Sequence, residues 1–76
     1  MIPFTAPAHL RAVIANQFIP DLSRIIKRGE PLQLISADQA RTVAKRVRAA
    51  AALELQQDRH RELIAVAEKL EKLEFK

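Results

Sequence analysis

The strongest helix breakers in this chain all lie in its first part. The one glycine is Gly29, and the four prolines are Pro3, Pro7, Pro20 and Pro31. Beyond Pro31, therefore, no glycine or proline interrupts a helix. The later residues are rich in Ala, Leu, Arg, Glu, Gln and Lys, which favour helices, and β-branched residues are too scattered for a sheet protein. The sequence predicts an all-α fold.

The N-terminal part is predicted to form two short helices, or one helix kinked at Pro20. Thr5 supplies a side-chain cap, and Pro7 is tolerated in the first turn because its missing N–H would have no partner there. Phe4 is expected to pack onto this turn. An apolar stripe continues past Pro20, whose ring clashes with the carbonyl four residues earlier. Gly29 is predicted to end the region in the left-handed conformation.

The segment that follows is predicted to be an irregular or extended connector. Pro31 biases the residue before it away from helix, and Leu32 and Leu34 alternate with a polar residue, which permits a short strand. A capping box then begins at Ser36. Its hydroxyl caps the next helix, while Gln39 is expected to reach back to the serine N–H.

Residues 37–73 are predicted to form one long helix with two apolar faces. The first face consists of Ala40, Val43, Ala44, Val47, Ala50 and Ala51, and the second of Leu63, Val66, Leu70 and Leu73. At about 100° per residue the two faces differ by roughly 130°, so they cannot both meet one straight partner. Either the helix breaks within residues 54–62, with Asp58 as a new cap, or it continues and serves two partners. The absence of Gly, Pro and Ser from that segment favours continuity.

The apolar content is thin for a chain of 76 residues, because thirteen of its hydrophobic residues are alanines. A domain of this size buries only about 60% of the surface that its unfolded chain exposes. There is no cysteine for a disulfide, and two histidines without cysteine argue against a structural zinc site. We therefore expect a single domain, residues 1–76, that gains stability from a second chain.

A helical homodimer would supply that second chain. The residues predicted to form its self-association seam are Leu63, Val66, Leu70 and Leu73. Their three-four spacing is typical of a coiled coil, although two heptads are too few to hold one alone. The alternative is that the seam packs back inside one monomer.

Positive charge is concentrated in the predicted long helix. The formal net charge is +4, and residues 39–53 contain no acid. The predicted partner-binding residues are Arg41, Lys45, Arg46 and Arg48. Such a stripe suits an acidic protein surface or a phosphate backbone, and it is also typical of the solvated back of an amphipathic helix. Because the chain has no Tyr or Trp for base stacking, we prefer a protein partner, with a DNA- or RNA-binding regulator as the alternative.

The titratable residues do not form a catalytic or metal-binding motif. Asp58, His60 and Glu62 are close in sequence, but positions i and i+2 point to different sides of a helix. We expect no enzymatic activity, no cofactor and no metal. Neither a membrane span of about 18 apolar residues nor a signal peptide is recognisable, so a cytoplasmic protein is expected. The sequence favours a small adaptor or inhibitor, in the size class of bacterial, plasmid or phage accessory proteins.

Overall fold

The computed structural model describes residues 1–75 and is mostly helical. In chain order its elements are β1 (Ile2–Phe4), a 3₁₀ turn (Ala8–Leu10), α1 (Arg11–Ala15), α2 (Pro20–Arg28), β2 (Leu32–Leu34), α3 (Ala37–Leu53) and α4 (Gln57–Glu71). The predicted helical character is confirmed. The all-α assignment is corrected by a small two-stranded sheet.

The sheet joins the N-terminus to the connector between the helices. β1 and β2 pair antiparallel, with Phe4 opposite Leu32 and Ile2 opposite Leu34. The alternation predicted for β2 is confirmed, because Leu32 and Leu34 are buried and the residue between them is exposed. Sequence reasoning missed β1, where Phe4 is half-buried against the core. Pro3 is compatible with a strand that lies at the edge of its sheet.

The N-terminal region forms two separate helices rather than one kinked helix. Pro20 stands at the start of α2, where its missing N–H has no cost. Thr5 is not a cap, which corrects the prediction: Pro7 precedes the 3₁₀ turn, and no side chain caps that turn. Gly29 ends α2 with φ 77°, as predicted. The N–H groups of Gly29 and Glu30 donate to carbonyls of the preceding helical turn, both at 3.1 Å.

The start of α3 confirms half of the predicted capping box. Ser36 Oγ accepts a hydrogen bond from the Gln39 N–H at 3.2 Å. The Gln39 side chain binds the connector instead of the serine N–H. Its Oε1 accepts from the Ile35 N–H at 2.7 Å, and its Nε2 donates to the Gln33 carbonyl at 3.3 Å. Gln39 thereby fastens the end of β2 to the first turn of α3.

The predicted long helix is helical on both sides but not continuous. α3 has 17 residues and α4 has 15, and the chain turns between them with extended backbone at Glu54 and Gln56. The predicted alternative cap, Asp58, lies inside the first turn of α4, and Gln56 occupies the cap position. The break allows the two apolar faces to pack on each other. A straight helix would leave at least one of them in water, and this burial outweighs local helix propensity.

The core lies between α3, α4, the N-terminal helices and the sheet. Seven of the sixteen buried apolar residues among residues 1–75 are alanines. Alanines at 44, 50, 51 and 67 are each at most 1% exposed. Because a methyl group takes little room, the helices that carry these residues can approach closely. The first apolar face of the predicted long helix therefore receives a helix of the same chain.

Candidate protein-binding surface

The predicted basic stripe divides into two paired and two unpaired side chains. Arg41 forms an ion pair with Asp38, one helical turn earlier. Arg48 donates two hydrogen bonds to the Glu71 carboxylate on α4, Nε to Oε2 at 2.9 Å and Nη2 to Oε1 at 2.7 Å. Lys45 and Arg46 are exposed, and neither forms an ion pair with any of residues 1–75.

The Arg48–Glu71 pair shifts the titration of both groups. The hydrogen bond from Arg48 lowers the pKa of the Glu71 carboxyl below its usual value. The same hydrogen bond, with the attraction of the carboxylate, raises the pKa of the Arg48 guanidinium. Both groups are therefore charged at neutral pH, and Arg48 is engaged within the chain.

Arg46 lines an apolar groove between α2, β2 and α3, here called the α2–α3 groove. Its apolar lining consists of Phe18, Ile19, Leu22, Leu32 and Val43. The groove has a volume of about 250 Å³ and also contacts two uncharged polar residues of α3. Ile19 is 61% exposed, so apolar surface at the groove is open to water.

Local sequence explains how this groove forms. Phe18 and Ile19 lie in the turn between α1 and α2, just before Pro20 begins α2, and they are only partly covered. On α3, Val43 and Arg46 are three residues apart and therefore lie on neighbouring turns of one face. The turn before Pro20 thus supplies the partly exposed apolar side of the groove, and α3 supplies the cation beside it.

The predicted self-association seam is divided between the core and a second groove. Leu63 is 0% exposed and Leu70 is 3% exposed, so they pack inside the monomer, as the alternative interpretation of the seam had it. Val66 and Leu73 are half-buried. Both line a groove of about 270 Å³ between β1 and α4, next to Phe4. In this fold only Val66 and Leu73 of the four are accessible to a partner.

A third apolar surface lies at the α3–α4 turn, residues 53–56, and sequence reasoning did not assign it a role. Leu53 is 71% exposed and Leu55 is 98% exposed. Hydrogen bonds hold the turn: the Glu54 N–H donates to the Ala51 carbonyl at 3.1 Å, and Glu54 Oε1 accepts from the Gln56 N–H at 3.1 Å. The one available signal was that Leu55 stood alone as a large apolar residue in a polar segment.

Two of the three titratable residues near this turn, His60 and Glu62, contact other elements of the fold. His60 Nδ1 donates to the Ala51 carbonyl at 2.7 Å and so covers the last turn of α3. The Glu62 carboxylate contacts the imidazole of His9 in the 3₁₀ turn, and this contact joins the N-terminal region to α4. Asp58 is exposed. Within residues 1–75 no three His, Asp or Glu side chains come together in a way that could hold a metal ion.

Two further findings concern the chain as a whole. None of the helices described in residues 1–75 has the length and apolar character needed to cross a bilayer. Comparisons with protein-family models, curated protein sequences and solved structures find no match to this chain. Its function therefore has to be inferred from the chemistry of its surfaces.

Proposed function

We propose that this chain is a small, non-enzymatic protein-binding module that modulates its partner as an adaptor or inhibitor. The observation that supports the proposal is the α2–α3 groove, where the exposed side chain of Ile19 and the half-buried side chains of Phe18 and Leu22 lie beside the unpaired cation Arg46. An amphipathic helix can lay its apolar face into such a groove. The partner segment is therefore expected to be apolar on one side and acidic next to it.

Charge supports an acidic partner over a neutral one. Lys45 and Arg46 adjoin each other on α3 and are both exposed, and no acidic residue occurs in positions 39–53. A carboxylate brought to this surface meets positive potential, which speeds encounter and disfavours basic partners.

The second candidate function is a DNA- or RNA-binding regulator that uses the helix around residues 41–48. The net charge of +4 favours it. Arg41 and Arg48 count against it, since each is already paired with a carboxylate of this chain. Nucleic-acid binding draws much of its affinity from cations that neutralise phosphates, and two unpaired cations on this helix supply little.

Self-association as a homodimer is also part of the proposal. It is supported by the small side chains that make up much of the core and by apolar residues that remain exposed, among them Leu53 and Leu55. The predicted dimer seam cannot supply the contact through Leu63 and Leu70, because the monomer buries them.

The groove is tested by charge reversal. The chain, immobilised, captures its partner from the source cell, and binding of that partner, once purified, is compared between wild type and Arg46→Glu. We expect binding to weaken about tenfold or more, a change of roughly 1.4 kcal/mol or greater. Lys27→Glu is the matched control, because Lys27 is an exposed cation of α2 outside the groove lining and its reversal changes the net charge equally.

Retention on generic DNA at increasing salt separates the two candidates. If retention of the wild type falls steeply as salt is raised, and Arg46→Glu is not retained, the nucleic-acid regulator is favoured. No retention at low ionic strength would remove that candidate and leave the protein-binding module.

A further inference from the structure

We infer that the α3–α4 turn pairs with the same turn of a second copy of this chain, placing Leu53 and Leu55 at the centre of a symmetric contact. The inference rests on the proposed self-association and specifies the surface that carries it. Leu55 is 98% exposed, the highest value among the exposed large apolar residues of the described chain.

The turn is built to display these leucines. Three hydrogen bonds restrain the turn. The Ala51 carbonyl oxygen accepts two of them, one from the Glu54 N–H at 3.1 Å and one from His60 Nδ1 at 2.7 Å. The third restraint joins the Glu54 carboxylate to the Gln56 N–H at 3.1 Å. A turn fixed in this way loses little conformational entropy when its leucines are buried, so ordering costs do not offset the contact.

The charges around the turn fit a second copy. Residues 53–61 contain two acids, Glu54 and Asp58, and two arginines, Arg59 and Arg61, so their formal charge is zero in a chain of net charge +4. None of these four side chains forms an ion pair with any of residues 1–75. In a two-fold contact the acids of one copy can meet the arginines of the other.

The same reasoning excludes the α2–α3 groove as the dimer surface. A second copy approaching Lys45 and Arg46 would bring positive charge to positive charge, which disfavours association. The basic groove and the neutral turn therefore select different partners. A foreign acidic segment fits the groove, and an identical chain fits the turn.

The dimer is expected to be weak and to dissociate on dilution. Specific stable interfaces bury about 1,600 Å² in total, and two leucines with a few polar neighbours from each copy supply much less. Sedimentation must therefore cover a wide range of protein concentration.

The chain has no cysteine, which permits a clean cross-linking test. In Leu55→Cys and Leu53→Cys, an added copper–phenanthroline oxidant would join two copies through a disulfide if their Cα atoms lie within about 7 Å. Ile35→Cys is the matched control: Ile35 is 70% exposed against 71% for Leu53. Ile35 lies just before the N-terminal end of α3, whereas the turn lies at the C-terminal end. The two sites are therefore roughly 25 Å apart at 1.5 Å per helical residue. We expect rapid covalent dimers from the turn cysteines and only slow collisional cross-linking from Ile35→Cys.

Sedimentation of the full-length chain supplies the second measurement. We expect wild type and Ile35→Ser to self-associate alike, and Leu55→Ser to raise the dimer dissociation constant about tenfold or more, because it removes buried apolar surface. Circular dichroism verifies that each variant is folded.

Each other outcome overturns a defined claim. If wild type self-associates and Leu55→Ser is unchanged, the turn is not the contact, and the proposed homodimer stands with another surface. If the turn cysteines cross-link no faster than Ile35→Cys, the turns do not meet. If wild type is a monomer at every concentration, both the turn contact and the homodimer are wrong, which is also the result expected if the leucines serve a lipid or a foreign protein.

Discussion

The Arg48 guanidinium on α3 donates two hydrogen bonds, of 2.9 and 2.7 Å, to the Glu71 carboxylate on α4. The two residues are 23 positions apart, so the pair forms only when α4 has folded onto α3. It fastens the last residue of α4 and at the same time removes one cation from the predicted partner-binding stripe. One contact thus affects both the stability of the helix pair and the charge that the chain offers to others.

We predict that this pair makes stability fall in acid. The pKa of Glu71 is lowered in the folded state by the hydrogen bond from Arg48. Its stabilisation is therefore fully present above the unfolded pKa, near 4.5, and is lost as pH falls through the lower folded value. Urea unfolding midpoints of wild type and Glu71→Gln, measured from neutral pH to below 4.5, should differ at neutral pH and converge in acid.

Glu30→Gln is the control for this prediction. Glu30 is exposed and forms no ion pair within residues 1–75, so its replacement should leave the acid dependence as in wild type. An unchanged difference between wild type and Glu71→Gln across the whole pH range would show that the pair contributes nothing through ionisation.

Local signals predicted the helix ends correctly, because the atoms that form them are close in sequence. Pro20 begins α2, Gly29 ends it, and Ser36 caps α3. In each case the required hydrogen bond or dihedral angle involves residues at most five positions apart. Thr5 carried the same kind of signal and failed, since the chain there pairs as β1 and leaves through Pro7.

Features that depend on distant contacts could not be predicted in the same way. β1 forms because Phe4 pairs with Leu32 across the sheet, and the turn at residues 53–56 forms because α4 packs on α3. The sequence did show the cause of the turn, namely two apolar faces about 130° apart, but helix propensity pointed to continuity.

The candidate site was predictable only in part, for the same reason. Arg41 and Asp38 are three residues apart, so their pairing could have been anticipated. The pairing of Arg48 with Glu71 could not, because it needs the fold. The α2–α3 groove likewise combines residues of three elements around Arg46.

Removal of the Ser36 cap should destabilise the chain. Ser36 Oγ accepts the Gln39 N–H at 3.2 Å, and Ser36→Ala leaves that donor without its partner. We expect a loss of about 1 kcal/mol in the free energy of unfolding. Thr5→Ala is the comparison, because no side chain caps the 3₁₀ turn that follows Thr5, and it should cost much less. Equal losses in urea unfolding would contradict the assignment of the cap.

Gly29→Ala should destabilise the end of α2 for two separable reasons. The φ of 77° is unfavourable for any residue with a Cβ, at a cost of roughly 1–2 kcal/mol. A Cβ there would also stand 2.6 Å from Cζ of Arg11, whose flexible side chain can move away at some cost. The substitution is therefore measured by urea unfolding in wild-type and Arg11→Ala backgrounds. The loss that persists without Arg11 is the backbone term, and no loss there would refute the left-handed conformation.

The position of Leu63 separates a seam inside the monomer from a seam between chains. Leu63 is 0% exposed, so Leu63→Ala should leave a cavity and cost about 2–5 kcal/mol in the free energy of unfolding. Because the lost contacts are intramolecular, the cost should be the same at every protein concentration. Leu55→Ala removes the same atoms from an exposed position and should cost close to nothing in dilute solution. A Leu63→Ala penalty that vanishes on dilution would instead place this leucine between two chains.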